Sequence, residues 1–467
     1  MKVASASRKS WVIRFLWLME VLLIAFAAKA AARLRFLNDP EGYQVFLGSN
    51  PERLLLVAVF VTVAMVCFGL YQVYLRHNRT EFVVRLLLAF AFGGISLLVL
   101  YYFVPVTYIG RGVLLMSLAF GFIGVMLLRF LVMQLFGMKL FKSRVLVFGA
   151  GSNAALINSR MRRASDRQSF VVVGYLPVPG QPVEVPAGMP ADTGTGELAL
   201  ADLAERMNVD EIVVAPDERR GCLPMESMLM CAQRGIVVSD LSTFFEREAG
   251  MVTLNVADPS WLVFSGGFDH SILRRLSKRF FDLLAACALL LVAWPLMLIV
   301  ALCVWLESGS PILYRQTRVG ENGRGFELIK FRSMRADAEK DGVARWASRE
   351  DDRSTRVGRF IRMTRLDELP QLYNVLRGDL SFVGPRPERP HFVEMLGKEI
   401  RYYNIRHSVK PGLTGWAQLR YPYGASVRDA EEKLTFDLFY VKNQGLLFDL
   451  TILMQTVEVV LFRRGAR

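Results

Sequence analysis

The chain has 467 residues, 53% of them hydrophobic, and a mean hydropathy of +0.31. That length exceeds what one hydrophobic core usually organises, and that apolarity excludes an ordinary soluble enzyme unless part of the chain lies in lipid. The formal charge of +14 suits membrane lipids, phosphorylated substrates or nucleic acid, but long apolar runs without a recognition helix or zinc spacing argue for the first two and against nucleic acid.

Four apolar segments come first, roughly Trp11 to Ala31, Leu54 to Leu75, Leu86 to Val106 and Val113 to Phe136. Each approaches the roughly 20 residues a spanning helix needs. The second and third are apolar on every face, which a helix of a soluble bundle is not. The first contains Glu20 and Lys29 and has no clean small-residue cleavage site after it, so it is read as an anchor rather than a signal peptide. Glu20 reads equally as a polar contact between helices or as a satisfied structural group.

Lys2, Arg8 and Lys9 before the first segment, Arg76 and Arg79 between the second and third, and Lys139 and Lys142 after the fourth set these loops inside the cell. Arg33, Arg35 and Arg53 lie in the first outer loop, where Asp39, Glu41 and Glu52 offset them. Residues 1–141 are thus predicted to be a transmembrane four-helix bundle with both ends facing the cytoplasm. The cysteines, Cys67, Cys222, Cys231, Cys287 and Cys303, form no C-x-x-C pair, as expected of buried reduced thiols.

Residues Arg144 to Ala154 read as a buried strand, a glycine turn and a helix start. Apolar β-branched runs at Val171–Val173, Glu211–Val214 and Ile236–Val238 alternate with helical patterns, predicting a Rossmann-like α/β domain over 142–256 and a linker over 257–275. The turn Gly149-x-Gly151-x-x-Ala154 partly matches a dinucleotide fingerprint. Val171-Val-Val-Gly-Tyr175 brings no acidic residue for a ribose, so a structural or regulatory role is expected ahead of nucleotide binding.

The third unit is expected over 276–467. Arg274, Arg275, Lys278 and Arg279 precede an apolar stretch, 280–306, interrupted at Trp294-Pro295. A straight span would put everything after residue 307 outside the cell, away from any nucleotide-activated donor. A proline deletes a hydrogen bond and clashes one turn back, so a re-entrant helix broken at Pro295 is expected instead. Lys278, Arg279 and Asp282 are expected to anchor it at lipid headgroups. Tyr440 to Phe462 fits an interfacial helix or a packed one equally well.

From Glu307 onward the sequence is basic and carries the chemistry. Arg362-Met-Thr-Arg-Leu-Asp-Glu-Leu-Pro-Gln371 sets adjacent carboxylates behind two arginines. Neighbours on a helix point about 100° apart, so Asp367 and Glu368 would take separate tasks, one attacking phosphorus and the other holding a Mg²⁺ that neutralises phosphate charge. Asp379 to Pro387 is a rigid turn presenting Arg386, a planar fork suited to phosphate oxygens. Lys330 and Arg332 upstream, Arg406 and Lys410 downstream, and the segment Tyr314 to Gly320 add cations. This is the inventory of a phosphoryl-transfer site, where catalysis is mostly positioning and charge stabilisation.

Five ordered motifs, Lys278-Arg-Phe-Phe-Asp282, Lys330-Phe-Arg-Ser-Met334, Leu366-Asp-Glu-Leu-Pro-Gln371, Ser381-Phe-Val-Gly-Pro-Arg-Pro387 and Lys410-Pro-Gly-Leu-Thr-Gly-Trp416, resemble the bacterial sugar transferases, monotopic polyprenyl-phosphate phosphoglycosyl transferases. The bundle and sheet domain resemble the large subclass that initiates exopolysaccharide or capsule synthesis. The resemblance implies a mainly α catalytic domain in which Asp367 attacks the β-phosphate of a UDP-sugar, expels UMP and passes the phosphosugar to a polyprenyl (undecaprenyl) phosphate. It implies that Glu368 helps hold Mg²⁺, that Arg362 and Arg386 bind phosphate, and that the site lies at the cytoplasmic surface of the bacterial inner membrane. Gln418-Leu-Arg-Tyr-Pro-Tyr423 departs from the family's usual Gln-Val-Asn-Gly and leaves the sugar open; a homodimer through the bundle or the sheet domain is left open too. A membrane-anchored NAD(P)-dependent sugar-modifying enzyme would need a Tyr-x-x-x-Lys motif in the sheet domain, which is missing, and a non-enzymatic scaffold would have no use for Asp367, Glu368, Arg362 and Arg386.

Overall fold

The computed structural model describes residues 3–49, 52–71, 79–136, 142–161, 167, 169–185, 199–254, 271–335, 353–421, 424 and 426–462. It divides into two compact units, Met1–Phe244 and Phe245–Arg467.

The first unit opens with helices α1 (Val3–Arg35), α2 (Pro40–Ser49), α3 (Glu52–Cys67), α4 (Arg79–Phe103) and α5 (Arg111–Phe136). Ile24, Ala28 and Ala32 of α1, Val57, Val61 and Met65 of α3, Leu86 and Leu97 of α4 and Val125 of α5 are fully buried against one another. Small residues let the helices close up: a Cβ on Gly93 would stand 3.0 Å from Val61 Cα. Phe26, Ile95, Leu115 and Leu127 point outward from α1, α4 and α5, leaving an apolar exterior of the kind lipid covers. Stretches of 22 residues in α1, α4 and α5 are each long and apolar enough to cross a membrane. The second predicted span differs. Helix α3 stops at Cys67 because Gly69 turns left-handed (φ 72°), and Leu70 N–H closes the end on the Met65 carbonyl.

The α/β part follows as β1 (Ser143–Phe148), α6 (Ser152–Arg160), β2 (Phe170–Leu176), α7 (Ala199–Arg206), β3 (Glu211–Val214), α8 (Met225–Gln233), β4 (Val237–Asp240) and α9 (Leu241–Ala249). The strands form one parallel sheet in the order β2-β1-β3-β4. All four residues of β3 are buried, as in a strand covered on both faces. The predicted α/β alternation is therefore present, with its strands where the β-branched runs stand.

The second unit contains α10 (Ile272–Ser308), the hairpin β5 (Leu313–Val319) and β6 (Gly325–Phe331), α11 (Arg356–Met363), α12 (Gln371–Arg377), β7 (Ser381–Val383), α13 (Pro390–Glu399), β8 (Gly412–Thr414), α14 (Trp416–Arg420), α15 (Val427–Asn443) and α16 (Leu446–Phe462). It is mainly helical, as expected. The expected break at Pro295 is corrected: α10 runs as one 37-residue helix with Pro295 inside it. An interior proline removes one hydrogen bond, and the flanking Leu, Val and Ala residues continue the helix on both sides.

Lys278, Arg279 and Asp282 are turned into the protein rather than toward headgroups. Lys278 Nζ donates to Asp449 (2.6 Å), Tyr440 and the Val383 carbonyl, Arg279 caps the Val375 and Leu376 carbonyls at the end of α12, and Asp282 accepts from Ser381 Oγ and Phe382 N. Helix α16 is packed, with Asp449 and Ile452 buried.

Candidate active site

The carboxylate pair sits on a short 3-10 turn, Leu366–Glu368, that feeds through Pro370 into α12. Arg365, just before it, is left-handed (φ 61°), an unfavourable conformation for a side-chain-bearing residue that re-aims the chain between α11 and the turn. Helix α11 is held at its start by Thr355 Oγ1, which accepts from Gly358 N (2.9 Å), and by the Glu307 carboxylate, which accepts from Arg356 N and Val357 N. Asn374, 1% exposed on α12, donates Nδ2 to the Glu327 carbonyl (2.7 Å) and accepts from Ile329 N (3.1 Å). It bolts the helix that follows the pair to the strand carrying Lys330.

Within this frame Asp367 is 8% exposed, and its buried Oδ1 has no hydrogen-bond partner. Glu368 is the opposite case. Its Oε1 accepts from Lys330 Nζ (3.2 Å) and Arg386 Nη2 (3.4 Å) and lies 3.5 Å from Arg365 Nη1. Burial alone would raise the Glu368 carboxyl, but Arg386, Lys330 and Arg365 outweigh it and hold the group at about 2. Burial, reinforced by the Glu368 charge, raises Asp367 against the pull of Lys330, Arg365 and Arg362. Two adjacent carboxylates are driven apart by their surroundings: one permanently ionised and neutralised, the other desolvated with a lone pair free. That separation is how a site assigns two roles to two like groups.

Of the residues named from sequence, Lys330 and Arg386 thus meet the pair directly. Arg362 is near enough to lower Asp367 while donating to Ser354 Oγ (3.0 Å). Arg332 and Lys410 are placed elsewhere. Arg332 Nη2 donates to the Ser308 and Gly309 carbonyls at the end of α10, and Lys410 Nζ lies by Gly378 at the far end of α12, 3.6 Å from where a Cβ would stand. Arg406 is buried in an ion pair with Asp437 (2.9 Å) and donates to the Arg386 carbonyl (2.9 Å). Arg318 donates to the Pro387 carbonyl (3.1 Å), so these two arginines brace the loop that presents Arg386. Sequence reading passed over the roles of Arg365 and Asn374; the only trace of the second is an amide on the buried side of a short helix.

Residues 273–463 match the family model described as bacterial sugar transferase. A UDP-galactose-lipid carrier transferase of Erwinia amylovora is 30% identical over 486 residues, covering 95% of this chain and 95% of that protein. The chain belongs to the bacterial sugar transferase family. The chain is also 40% identical over 237 residues to the UDP-N-acetylgalactosamine-undecaprenyl-phosphate N-acetylgalactosaminephosphotransferase of Aeromonas hydrophila, an alignment covering 51% of the chain and 55% of that relative. It is 43% identical over 185 residues to the UDP-glucose:undecaprenyl-phosphate glucose-1-phosphate transferase of Escherichia coli K12, covering 39% and 40%. The match therefore spans about half or less of these two relatives. Asp367, Glu368, Lys330 and Arg386 all fall inside the region that matches the family model.

Proposed function

We propose that this sugar transferase moves a hexose-1-phosphate from a UDP-sugar to undecaprenyl phosphate at the cytoplasmic face of the bacterial inner membrane, opening the synthesis of an exopolysaccharide or capsule repeat unit. The observation that carries the reading is the buried Asp367 with an unpartnered Oδ1 beside a Glu368 already neutralised by cations. The Aeromonas, Erwinia and E. coli relatives, each named as a transferase to undecaprenyl phosphate or a lipid carrier, suggest the substrate classes.

In the first half-reaction Asp367 Oδ1 attacks the β-phosphorus of the UDP-sugar. The bond from that phosphorus to the bridging oxygen breaks, UMP leaves with the oxygen, and a phosphosugar stays on the aspartate as an acyl phosphate. Lys330, Arg386 and Arg365 surround the point where charge gathers and stabilise it as fixed cations in a partly dry site. In the second half-reaction an oxygen of undecaprenyl phosphate attacks the same phosphorus and Asp367 departs as a carboxylate, which returns the site to its starting state.

Mg²⁺ habitually takes one or two carboxylates and completes its shell with water and substrate phosphates. The donor chemistry fits such an ion: Glu368 is an ionised carboxylate, held at about 2, directly beside the attacking Asp367. Glu368 would hold the ion, which when bound would neutralise the diphosphate oxygens.

Helix α10 supports a re-entrant placement. Lys278 and Asp282 near its start bond to β7 and α16, while Glu307 and Ser308 at its end bond to α11 and Arg332, all within one unit. Straight, at 1.5 Å per residue, those anchors would be about 45 Å apart, longer than the roughly 30 Å hydrocarbon core. Ala286 packs with Leu328 in one core cluster, and Val300 and Val304 pack with Phe331, three residues further along the same strand, in another. A kink at Pro295 within the unbroken helix, tilting its second half back toward the unit, accommodates both. The parallel sheet, in turn, is read as a Rossmann-like domain.

The test is UMP release by purified protein offered a panel of UDP-sugars with undecaprenyl phosphate and Mg²⁺. Release with one sugar, abolished in Asp367→Asn, and radiolabelled sugar retained on the protein when acceptor is withheld, are expected. Release of UDP in place of UMP would overturn the mechanism.

A further inference from the structure

The turn Gly149-Ala150-Gly151 joins β1 to α6 and holds the glycines that resemble a dinucleotide fingerprint. In such a fingerprint the glycines let a pyrophosphate approach the backbone, and the first amides of the helix receive it. Here the same amides are already engaged. Ser152 N donates to Asp217 Oδ2 (2.9 Å), Asn153 N donates to Asp217 Oδ1 (2.8 Å), and Ser152 Oγ donates to Oδ1 (3.0 Å). Asp217 comes from the segment just after β3, the strand paired with β1. It is held from behind: its N–H donates to Gln181 Oε1 (2.9 Å), Gln181 Nε2 donates to the Glu218 carbonyl (2.8 Å), and Asn153 Nδ2 donates to the Pro216 carbonyl (2.9 Å).

The glycines have internal reasons as well. A Cβ on Gly151 would stand 2.1 Å from Asp217 Oδ2, so the carboxylate can reach the amides only over a glycine. Gly149 is left-handed (φ 118°), and a Cβ there would meet the Ala215 carbonyl at 2.4 Å. Above the turn, Glu184 N donates to the Ala150 carbonyl (2.8 Å).

We propose that Asp217 is the built-in anion of this cradle, and that the sheet domain uses its nucleotide-like turn as an internal clasp and takes no dinucleotide. The carboxylate occupies the amides a pyrophosphate would need, and its negative charge at the positive end of α6 repels a second anion. The inference stands apart from the transferase reading, because neither Asp217 nor the turn belongs to the site around Asp367.

The experiment uses the full-length protein in detergent and reads thermal unfolding midpoints for Gly151→Ala, Asp217→Ala and the double variant, with sodium formate as a small carboxylate probe and NADH as a fluorescent dinucleotide. Each single variant is expected to lose several degrees. The double variant should melt no lower than Asp217→Ala, because the three atoms nearest the added methyl all belong to the Asp217 carboxyl. Formate should raise the midpoint of Asp217→Ala more than sodium chloride at equal ionic strength and leave the unmodified protein unchanged, and NADH should show no saturable binding to the unmodified protein. If Asp217→Ala fails to fold, Asp217→Ser, whose short side chain keeps an acceptor oxygen and leaves the space over Gly151 open, takes its place in the same cycle. Additive losses in the double variant, or saturable NADH binding that Gly151→Ala abolishes, would overturn the proposal.

Discussion

Lys330 Nζ donates to Glu368 Oε1 across 3.2 Å and so ties strand β6 to the turn that carries Asp367. Burial lowers the Lys330 ammonium and Glu368 partly restores it, so each charge is there because of the other. Lys330→Met should therefore lower the rate of UMP release by about 10²–10³, the range for removing one preorganised stabilising group. Arg386→Met should cost less, because Arg386 is more exposed and its contact is longer. Initial rates at saturating donor decide the matter; a Lys330→Met enzyme working at near-normal rate would remove Lys330 from the mechanism.

The two carboxylates should also separate in pH dependence. In the proposed mechanism only ionised Asp367 attacks, and burial raises its carboxyl above the ordinary 3.8, so the first half-reaction should lose rate as pH falls through a value higher than a solvent-exposed aspartate would give. Glu368, held at about 2, stays ionised throughout that window and contributes no limb. Single-turnover UMP release followed against pH should show one acid limb, displaced further upward in Lys330→Met, which removes a cation that now lowers Asp367. A limb that stayed put in that variant would assign it to another group.

What could be read from the sequence were residue types in fixed order, and what could not were directions. The Asp367–Glu368 pair, Lys330 and Arg386 were legible because adjacent charges in short motifs have little freedom to be anything else. Arg332, Lys410 and Arg406 carry the same charge in equally basic surroundings, yet one caps the end of α10, one sits at the far end of α12 and one is paired with Asp437. Asn374 was hidden because its function is a pair of backbone bonds to a strand distant in sequence. Asp217 was hidden for the same reason, since it lies 65 residues beyond the Ser152 amide it fills. The apolar helices followed from the length of their runs and the parallel sheet from β-branched runs alternating with helical patterns, whereas the end of α3 turned on the backbone of Gly69 and the continuity of α10 on the residues either side of Pro295.

Inside the bundle, Glu20 is fully buried and accepts from Arg129 Nε and Nη2, with Tyr71 OH donating to the same carboxylate and the Leu70 carbonyl accepting from Arg129 Nη1 (3.1 Å). The pair joins α1 to α5 and to the turn after α3. Neutral hydrogen bonds between membrane helices average only about 0.6 kcal/mol, but removing one partner of a buried ion pair strands the other and costs about 3–5 kcal/mol in soluble proteins. Glu20→Gln should accordingly lower the melting temperature in detergent markedly. Combining it with Arg129→Met should recover much of the loss, because no unpaired charge then remains. Equal melting of Glu20→Gln and the unmodified protein would show that the pair is not the bundle's clamp.

His407 supplies a second pH test, this time of stability. It is buried beside Arg406, with Nε2 lacking a partner. Burial first, then the Arg406 guanidinium, depress its imidazole to about 4 from an ordinary 6.5. Above 6.5 the ring is neutral in folded and unfolded chains alike, and its contribution to stability is fully present. As pH falls from 6.5 toward 4 the unfolded chain takes up a proton that the folded chain refuses, so stability drains away across that window, by at most about 3 kcal/mol. The neighbouring carboxylates titrate too, so the informative quantity is the difference between the unmodified protein and His407→Gln, both unfolded by denaturant at a series of pH values. That difference should be flat above pH 7 and should shift in favour of His407→Gln between 6.5 and 4. A difference independent of pH would mean that the folded protein protonates His407 as readily as the unfolded one, and that Arg406 is screened from it.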